Sequence, residues 1–443
     1  MKKKRLTTTH IILLSFLAAI FVGSGLLALP IASATGVAVP YIDALFTATT
    51  STCVTGLVTL PTVSTWSGFG QAVILLLIQI GGLGIITTMA GLMVLLHRRM
   101  GLRDRLLLQD AFNLNSLSGL IRFLKKVLIG TFAVEGTGAL LCMTVFVPQY
   151  GWRGIWISVF HAVSAFCNAG IDVLAQDSLC QYATHPLLNA VTMALIVLGG
   201  IGYVVWWDVL QVVRHKKRGL MLHSKIALVT TAVLIVGGAA AILFFEYHNP
   251  LTIGEMSLWD KIQVSVFQSV TTRTAGFATV AQQDLTTGST LVTLLLMFIG
   301  GSPVGTAGGI KTVTLTVLIA AALATVRNRD EVVLYRRSIT GQAIRKTLAV
   351  AGMAAFIVCI STGLLAAVTD ASLTDLLFEA ISATATVGLT RNLTPLLNEW
   401  GKLILIATMY LGRIGPISLA IAFHLRRNNP NIIKNPTEEI HVG

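Results

Sequence analysis

Charged residues are scarce in this chain. Asp, Glu, Lys and Arg make up 12% of its 443 residues, against roughly a quarter in soluble domains, which excludes an ordinary water-soluble globule. Cysteine is sparse as well. Cys53, Cys142, Cys167, Cys180 and Cys359 are scattered, with no CxxC pair and no spacing that suits a metal; they read as small residues of packed helices. No HExxH or Ser/His/Asp grouping is present, and His161, Glu135 and Asp208 share no motif, so the chain is read as a non-enzyme with no covalently bound cofactor. The net charge of +13 is not gathered into a basic domain, which removes nucleic acid as a partner. No nucleotide-binding domain is encoded, so any control by nucleotide has to come through another chain.

What is present is apolar length. Hydrophobic residues make up 54% of the chain and the mean hydropathy is +0.79. The apolar runs reach about twenty residues or more, enough to span a bilayer, which predicts an all-α polytopic membrane protein. Four units are read: residues 1–100, 127–218, 219–330 and 347–427. Between the first two, in 101–126, Arg103, Asp104, Arg105, Asp110, Arg122, Lys125 and Lys126 alternate with apolar groups, as in an amphipathic helix on the membrane face or a docking surface. Residues 331–346 form a connector and 428–443 a polar tail. At the N-terminus, basic residues 2–5 precede the apolar run 11–31, and Ala32-Ser-Ala34 looks like a leader cleavage site. The length of that run, and its place as the first helix of a unit, favour a retained span. Basic clusters at 2–5, 98–105, 214–218, 327–345 and 426–427 fall between units or at the ends. The positive-inside rule then places both termini in the cytoplasm and makes every unit leave and return. The expected location is a membrane with the cytoplasm on the side of those basic clusters.

Each unit carries one stretch too polar to span, at 47–57, 161–171, 268–277 and 379–389. Each is rich in small or hydroxyl residues and reaches a glycine followed by an apolar residue: Gly56, Gly170, Gly276 and Gly388. Some 24 to 29 residues later comes a second glycine cluster, Gly81-Gly-Leu-Gly84, Gly199-Gly-Ile-Gly202, Gly300-Gly-Ser-Pro303 and Gly412-Arg-Ile-Gly415. Two glycine signals in one order, four times over, indicate an internal repeat. Each loop is led by residues that suit a short helix, two of them opening on capping boxes, Ser257 to Asp260 and Ser372 to Asp375. Ordinary turns need no such lead-in. Irregular backbone at membrane depth is tolerated where it lines a wet cavity. Helix C-termini favour a cation nearby, rings of carbonyls can replace the hydration shell of K⁺, and glycine leaves such a pore clear of a β-carbon. The expected architecture is four helix–pore loop–helix repeats, with eight transmembrane helices and four re-entrant loops around one central pore.

These loops resemble the filters of the Trk/Ktr/HKT superfamily of K⁺ transporters, with Arg273-Thr-Ala-Gly-Phe277 close to the family's third loop. The likeness spans about residues 11–427 and is greatest to the membrane subunit of bacterial Ktr potassium uptake systems. It implies ion-filter carbonyls at Val54, Thr55 and Gly56, at Asn168, Ala169 and Gly170, at Thr274, Ala275 and Gly276, and at Thr386, Val387 and Gly388. Gly56 in the first loop goes with K⁺ selectivity in that family, where a serine accompanies Na⁺ preference. The loops depart from the Thr-Val-Gly-Tyr-Gly of dedicated K⁺ channels, and the third is one residue shorter before its glycine, which leaves room for Na⁺ as a second ion. The resemblance also implies a homodimer above a cytosolic RCK-type ring that senses nucleotide. Candidate contacts for that ring are residues 103–126, 336–346 and 428–443.

Residues 300–312 interrupt the second helix of the third unit. Gly300, Gly301, Ser302, Pro303, Gly305, Gly308, Gly309 and Lys311 do not favour an unbroken helix. Gly301, Gly305 and Gly309 also stand in small-xxx-small register, so close helix packing is the alternative. A phosphate-binding loop is excluded, since the stretch ends Gly-Ile-Lys-Thr with no strand before it. By resemblance the segment is an intramembrane gate beneath the filter. Arg413, deep in the last apolar run, is expected to act with it; a membrane-buried arginine otherwise needs helix carbonyls around it. Glu135 is read as packing or pairing inside the bundle, with ion coupling the alternative. A gated K⁺ pathway is preferred to Na⁺- or H⁺-coupled alternating access (symport), because the four units share one orientation where alternating-access repeats are usually inverted.

Overall fold

A computed structural model describes residues 8–95, 101, 106, 108, 119–174 and 177–415. The basic residues 2–5, most of the amphipathic stretch read at 103–126, Arg426, Arg427 and the tail lie outside the described residues.

Helix lengths follow the apolar runs. Among the described residues four helices are each long and apolar enough to cross a membrane: α1 (Thr8–Leu27), α6 (Leu120–Tyr150), α10 (Leu222–Glu246) and α14 (Gly341–Val368). Each is followed by a short, mostly buried helix: α2 (Tyr41–Cys53), α7 (Arg153–Cys167), α11 (Leu258–Thr271) and α15 (Leu373–Ala385). Ser257 and Ser372 cap α11 and α15 as their sequence predicts, accepting from the N–H of Asp260 and Asp375. After the one-turn α3 (Thr62–Thr65), the chain returns through α4 (Gly68–Leu83) and α5 (Ile85–Leu95) in the first unit. The second unit returns through α8 (Pro186–Gly200) and α9 (Tyr203–Val213), the third through α12 (Thr287–Phe298) and α13 (Thr312–Val326), and the fourth through α16 (Glu399–Ile414). Two short strands, β1 (Val333–Leu334) and β2 (Arg337–Ser338), pair antiparallel in the connector.

The returning helices differ from expectation. Eight spans in four units imply one returning helix per unit, yet the helix axis turns by 99° between α4 and α5 and by 100° between α8 and α9. The cause is local: Gly84 and Gly202 take φ of 84° and 92°, which breaks the helix. The break expected in the third unit is present, between α12 and α13. It also removes the helix-packing alternative for Gly301, Gly305 and Gly309, because no helix runs through them.

The first glycine of three clusters has a packing reason. A β-carbon on Gly81, Gly199 or Gly412 would lie 2.1, 1.9 or 2.1 Å from the carbonyl oxygen of Thr52, Phe166 or Thr384, each near the end of that unit's own short helix. The returning helix passes the end of the short helix so closely that no side chain fits. Each returning helix then packs on the next unit's short helix: α4 on α7, α8 on α11, α12 on α15, and α16 back on α2. The cycle therefore closes.

Polarity is inverted relative to a soluble protein. Thr47, Thr49, Thr50, Ser51, Thr52 and Thr55 are buried, whereas Phe132, Leu140, Phe244 and Phe356 are exposed. Between helices in lipid there is no hydrophobic drive to hide Leu and Phe. Trp152, Trp259 and Trp400 are exposed at or near the starts of α7, α11 and α16, as suits amphipathic rings at a membrane interface. One ion pair joins the first unit to the last: Lys402 Nζ lies 2.6 Å from Asp43 Oδ1, with little of either side chain exposed. Removing one partner strands the other charge, so Lys402→Met is expected to destabilise the detergent-solubilised protein by about 3 kcal/mol. An unchanged unfolding midpoint would show that the pair is solvated.

Candidate functional site

Three of the four short helices end directly on a left-handed residue, and the other, α11, closes right-handed at Thr272 before reaching its own. Val54, Asn168, Thr274 and Thr386 take φ of 57°, 59°, 69° and 52°, a left-handed turn that throws the chain out of the helix. For β-branched Val54, Thr274 and Thr386 that conformation is strained and needs its surroundings to hold it. The next residue in each loop donates its N–H back to a helix carbonyl: Thr55 to Thr50 at 2.8 Å, Ala169 to Ser164 at 2.8 Å, Ala275 to Thr271 at 2.9 Å and Val387 to Ser382 at 2.8 Å. The glycines follow, at φ of 99°, 65°, 82° and 96° for Gly56, Gly170, Gly276 and Gly388.

These glycines meet one another. A β-carbon on Gly56 would lie 2.5 Å from the Ala169 carbonyl oxygen; on Gly170, 2.6 Å from that of Ala275; on Gly276, 2.6 Å from that of Val387; and on Gly388, 2.3 Å from that of Thr55. First loop faces second, second third, third fourth, and fourth first. The four glycines and the residues just before them, Thr55, Ala169, Ala275 and Val387, thus close into one ring of backbone, with Val54, Asn168, Thr274 and Thr386 leading into it. The four glycines line an open vestibule of about 580 Å³, together with Asp172 and Asp177.

Residues 299–311 lie against the other side of the ring, in two parts. The first half sits on the break of the second unit: Ser302 N–H donates to the Gly200 carbonyl at 2.8 Å, Tyr203 N–H donates to that of Val304 at 2.9 Å, and Pro303 and Gly305 lie close to Gly202. Gly300 and Gly301 are pressed against Gly308 and Ala307 of the same loop. The second half reaches the ring. Gly308 N–H donates to Thr274 Oγ1 at 3.1 Å, and a β-carbon there would lie 2.0 Å from Thr386 Oγ1. Thr306 accepts from Asn168 Nδ2 at 3.1 Å and donates to the Phe166 carbonyl at 3.1 Å. Gly309 turns the chain back at φ 65° toward Lys311, whose Nζ donates to the Ala307 carbonyl at 2.5 Å.

Arg413 ties this loop to the first unit. Its guanidinium donates to the Thr306 carbonyl at 2.7 Å and to the Gly81 carbonyl at 2.6 Å. Arg413 beside this loop matches the expectation from the sequence, whereas Thr306, one hydroxyl residue in a glycine-rich run, carries no signal of its own. Glu135 is held by Gln79 Nε2 at 3.1 Å, a pairing inside the bundle. His161 Nε2 pairs with Thr192 Oγ1 at 2.8 Å, and Glu379 accepts from Thr390 and Thr394, so each has a partner within the protein. Among the described residues no group of His, Cys, Asp and Glu could hold a metal ion.

The family model described as TrkH, a cation transport protein, matches residues 8–434. The chain is 39% identical to the Ktr system potassium uptake protein B of Bacillus subtilis (strain 168), over 99% of this chain and 97% of that protein. It is 37% identical to the potassium/sodium uptake protein NtpJ of Enterococcus hirae, over 100% of this chain and 98% of the relative. The crystal structure of the potassium transporter TrkH from Vibrio parahaemolyticus shares the fold, with a TM-score of 0.73 over 95% of this chain and 86% of that one, at 16% identity. The relatives are membrane transporters and not enzymes, and the chain belongs to the TrkH family of cation transport proteins.

Proposed function

We propose that this protein takes up K⁺ across the cytoplasmic membrane through a selectivity filter formed by the four loops. The observation that carries the reading is the closed ring in which each loop glycine abuts a carbonyl of the next loop. Four peptide segments at that spacing, below one vestibule, offer an ion carbonyl oxygens in place of water. Eight spans in four units surround the ring, each short helix entering from outside and ending at the filter, where its C-terminal partial charge favours a cation. The named activities of the full-length relatives support K⁺, and the potassium/sodium name of one of them supports Na⁺ as a second ion.

Residues 300–312 act as the gate, with Arg413 as its tether. Their hydrogen bonds to Thr274 and Asn168 support this reading, since the loop cannot leave without breaking contacts to the filter segments. The protein works as a homodimer beneath which a cytosolic RCK-type subunit binds nucleotide and shifts the gate. The exposed Arg336 and Arg337 around the β1–β2 turn offer that subunit a basic contact.

Growth of a K⁺-uptake-deficient bacterium at limiting K⁺ tests the proposal, with and without an RCK-type partner. Wild-type rescue is expected, together with loss of rescue or gain of Na⁺ permeability in Gly56→Ser and Gly276→Ser. Rescue untouched by both changes would remove the filter from these loops. No rescue under any pairing, with the protein present in the membrane, would remove K⁺ uptake itself.

A further inference from the structure

One hydroxyl at the end of each short helix departs from its neighbours. Thr49 and Ser51 make the usual helical bond, donating to carbonyls four residues back, Leu45 at 2.7 Å and Thr47 at 2.7 Å. Thr50, between them, reaches forward: its Oγ1 accepts from the N–H of Gly56 at 3.0 Å. Ser382 does the same in the fourth unit, accepting from the N–H of Gly388 at 3.0 Å. In the second and third units the corresponding hydroxyls also reach forward but act as donors. Ser164 Oγ donates to the Ile171 carbonyl at 2.5 Å and Thr271 Oγ1 to the Phe277 carbonyl at 2.6 Å. All four are buried. These are also the residues whose own carbonyls hold the N–H one position before each glycine. A single residue per unit therefore grips its loop at two points.

We infer that Thr50, Ser164, Thr271 and Ser382 are positioning residues of the ion path, dividing it into an inner pair and an outer pair; this rests on the filter reading above. The inner pair acts through the geometry of one peptide. In a trans peptide the N–H and C=O point opposite ways. Holding the Gly56 N–H behind the loop turns the Thr55 carbonyl toward Gly388, and holding the Gly388 N–H turns the Val387 carbonyl toward Gly276, as the close approaches in the ring require. Thr50 and Ser382 thus fix the direction of two carbonyls that discriminate between ions. Ser164 and Thr271 hold carbonyls one residue beyond the glycine, those of Ile171 and Phe277, where the chain leaves the ring beside the vestibule. They govern entry and leave discrimination alone.

The test is K⁺, Rb⁺ and Na⁺ flux in proteoliposomes holding the full chain. Thr50→Val and Ser382→Ala are expected to lower the K⁺-over-Na⁺ ratio about tenfold, the size of one lost buried hydrogen bond, and Thr50→Ser and Ser382→Thr to restore it. Ser164→Ala and Thr271→Val are expected to raise the KM for K⁺ several-fold with that ratio intact. A merely structural role would lower the amount of protein and the maximal rate without moving either quantity. Should Thr50→Val fail to accumulate, Thr50→Cys, close in volume but a poor acceptor, is expected to show the same lowered ratio. Ratios and KM unchanged in all these variants, while Gly56→Ser lowers the ratio in the same vesicles, would overturn the inference and leave the filter standing. A ratio unmoved by Gly56→Ser as well would remove the filter reading and this inference with it.

Discussion

Gly388→Ala is expected to reach the membrane and yet take up K⁺ at roughly a tenth of the wild-type rate or less, the penalty of about 1.4 kcal/mol or more that displaced backbone brings. The added methyl would lie 2.3 Å from the Thr55 carbonyl oxygen and 2.8 Å from the Gly56 Cα. Both are backbone atoms of another loop, so no rotamer change relieves the overlap. The φ of 96° at this position adds strain for any residue with a β-carbon. Relief has to come from moving the first loop, whose Thr55 carbonyl then leaves the ring. Gly363→Ala in α14 is the matched control, since no heavy atom lies within 4 Å of its added methyl. It is expected to keep wild-type uptake and to gain up to about 1 kcal/mol of helix stability. Rb⁺ uptake normalised to membrane protein checks both, and wild-type uptake by Gly388→Ala would show that ions do not pass through the ring.

The second large effect concerns the loop beneath. Arg413→Met is expected to raise K⁺ flux in the absence of any partner subunit by roughly tenfold. Hydrogen bonds from a charged donor contribute about 1.5–3 kcal/mol each, and Arg413 makes two, one to the loop at Thr306 and one to the returning helix at Gly81. Losing both frees the loop from the first unit, so the population with residues 306–309 away from the ring rises. Removing the cation also lowers the electrostatic barrier to K⁺ there. Thr306→Val loses the hydroxyl contacts to Asn168 and Phe166 and is expected to act in the same direction with a smaller effect. Proteoliposome flux without partner is the measurement. Flux reduced in Arg413→Met, with the protein intact, would mean that the arginine holds the path open, and unchanged flux that it does not restrain the loop.

The positions of the elements were largely legible in the sequence. Apolar runs set α1, α6, α10 and α14, because a helix that faces lipid must be apolar over the thickness of a bilayer. The capping residues Ser257 and Ser372 marked the starts of α11 and α15, since a side-chain oxygen satisfies the free N–H groups of a first turn wherever the helix lies. The second glycine clusters were legible as a repeat, but their purpose was not. Gly81, Gly199 and Gly412 are small because a helix end presses on them, and Gly84 and Gly202 turn the chain through a right angle; a continuous apolar run hides both facts.

The kind of molecule this is, a membrane protein of repeated helices and polar loops, was written in the order of its residues, as were the glycines that end those loops. Hydropathy, capping and turn chemistry are properties of a few neighbouring residues and can be read along the chain. What each loop faces comes from the packed fold: the Gly56 turn meets the Ala169 carbonyl, the Gly388 turn meets that of Thr55, and Arg413 spans from Thr306 to Gly81. Those partners lie between about a hundred and more than three hundred residues apart. They are brought together by the packing of each returning helix on the next unit's short helix, and no local pattern encodes a contact that four separate units must close into a ring.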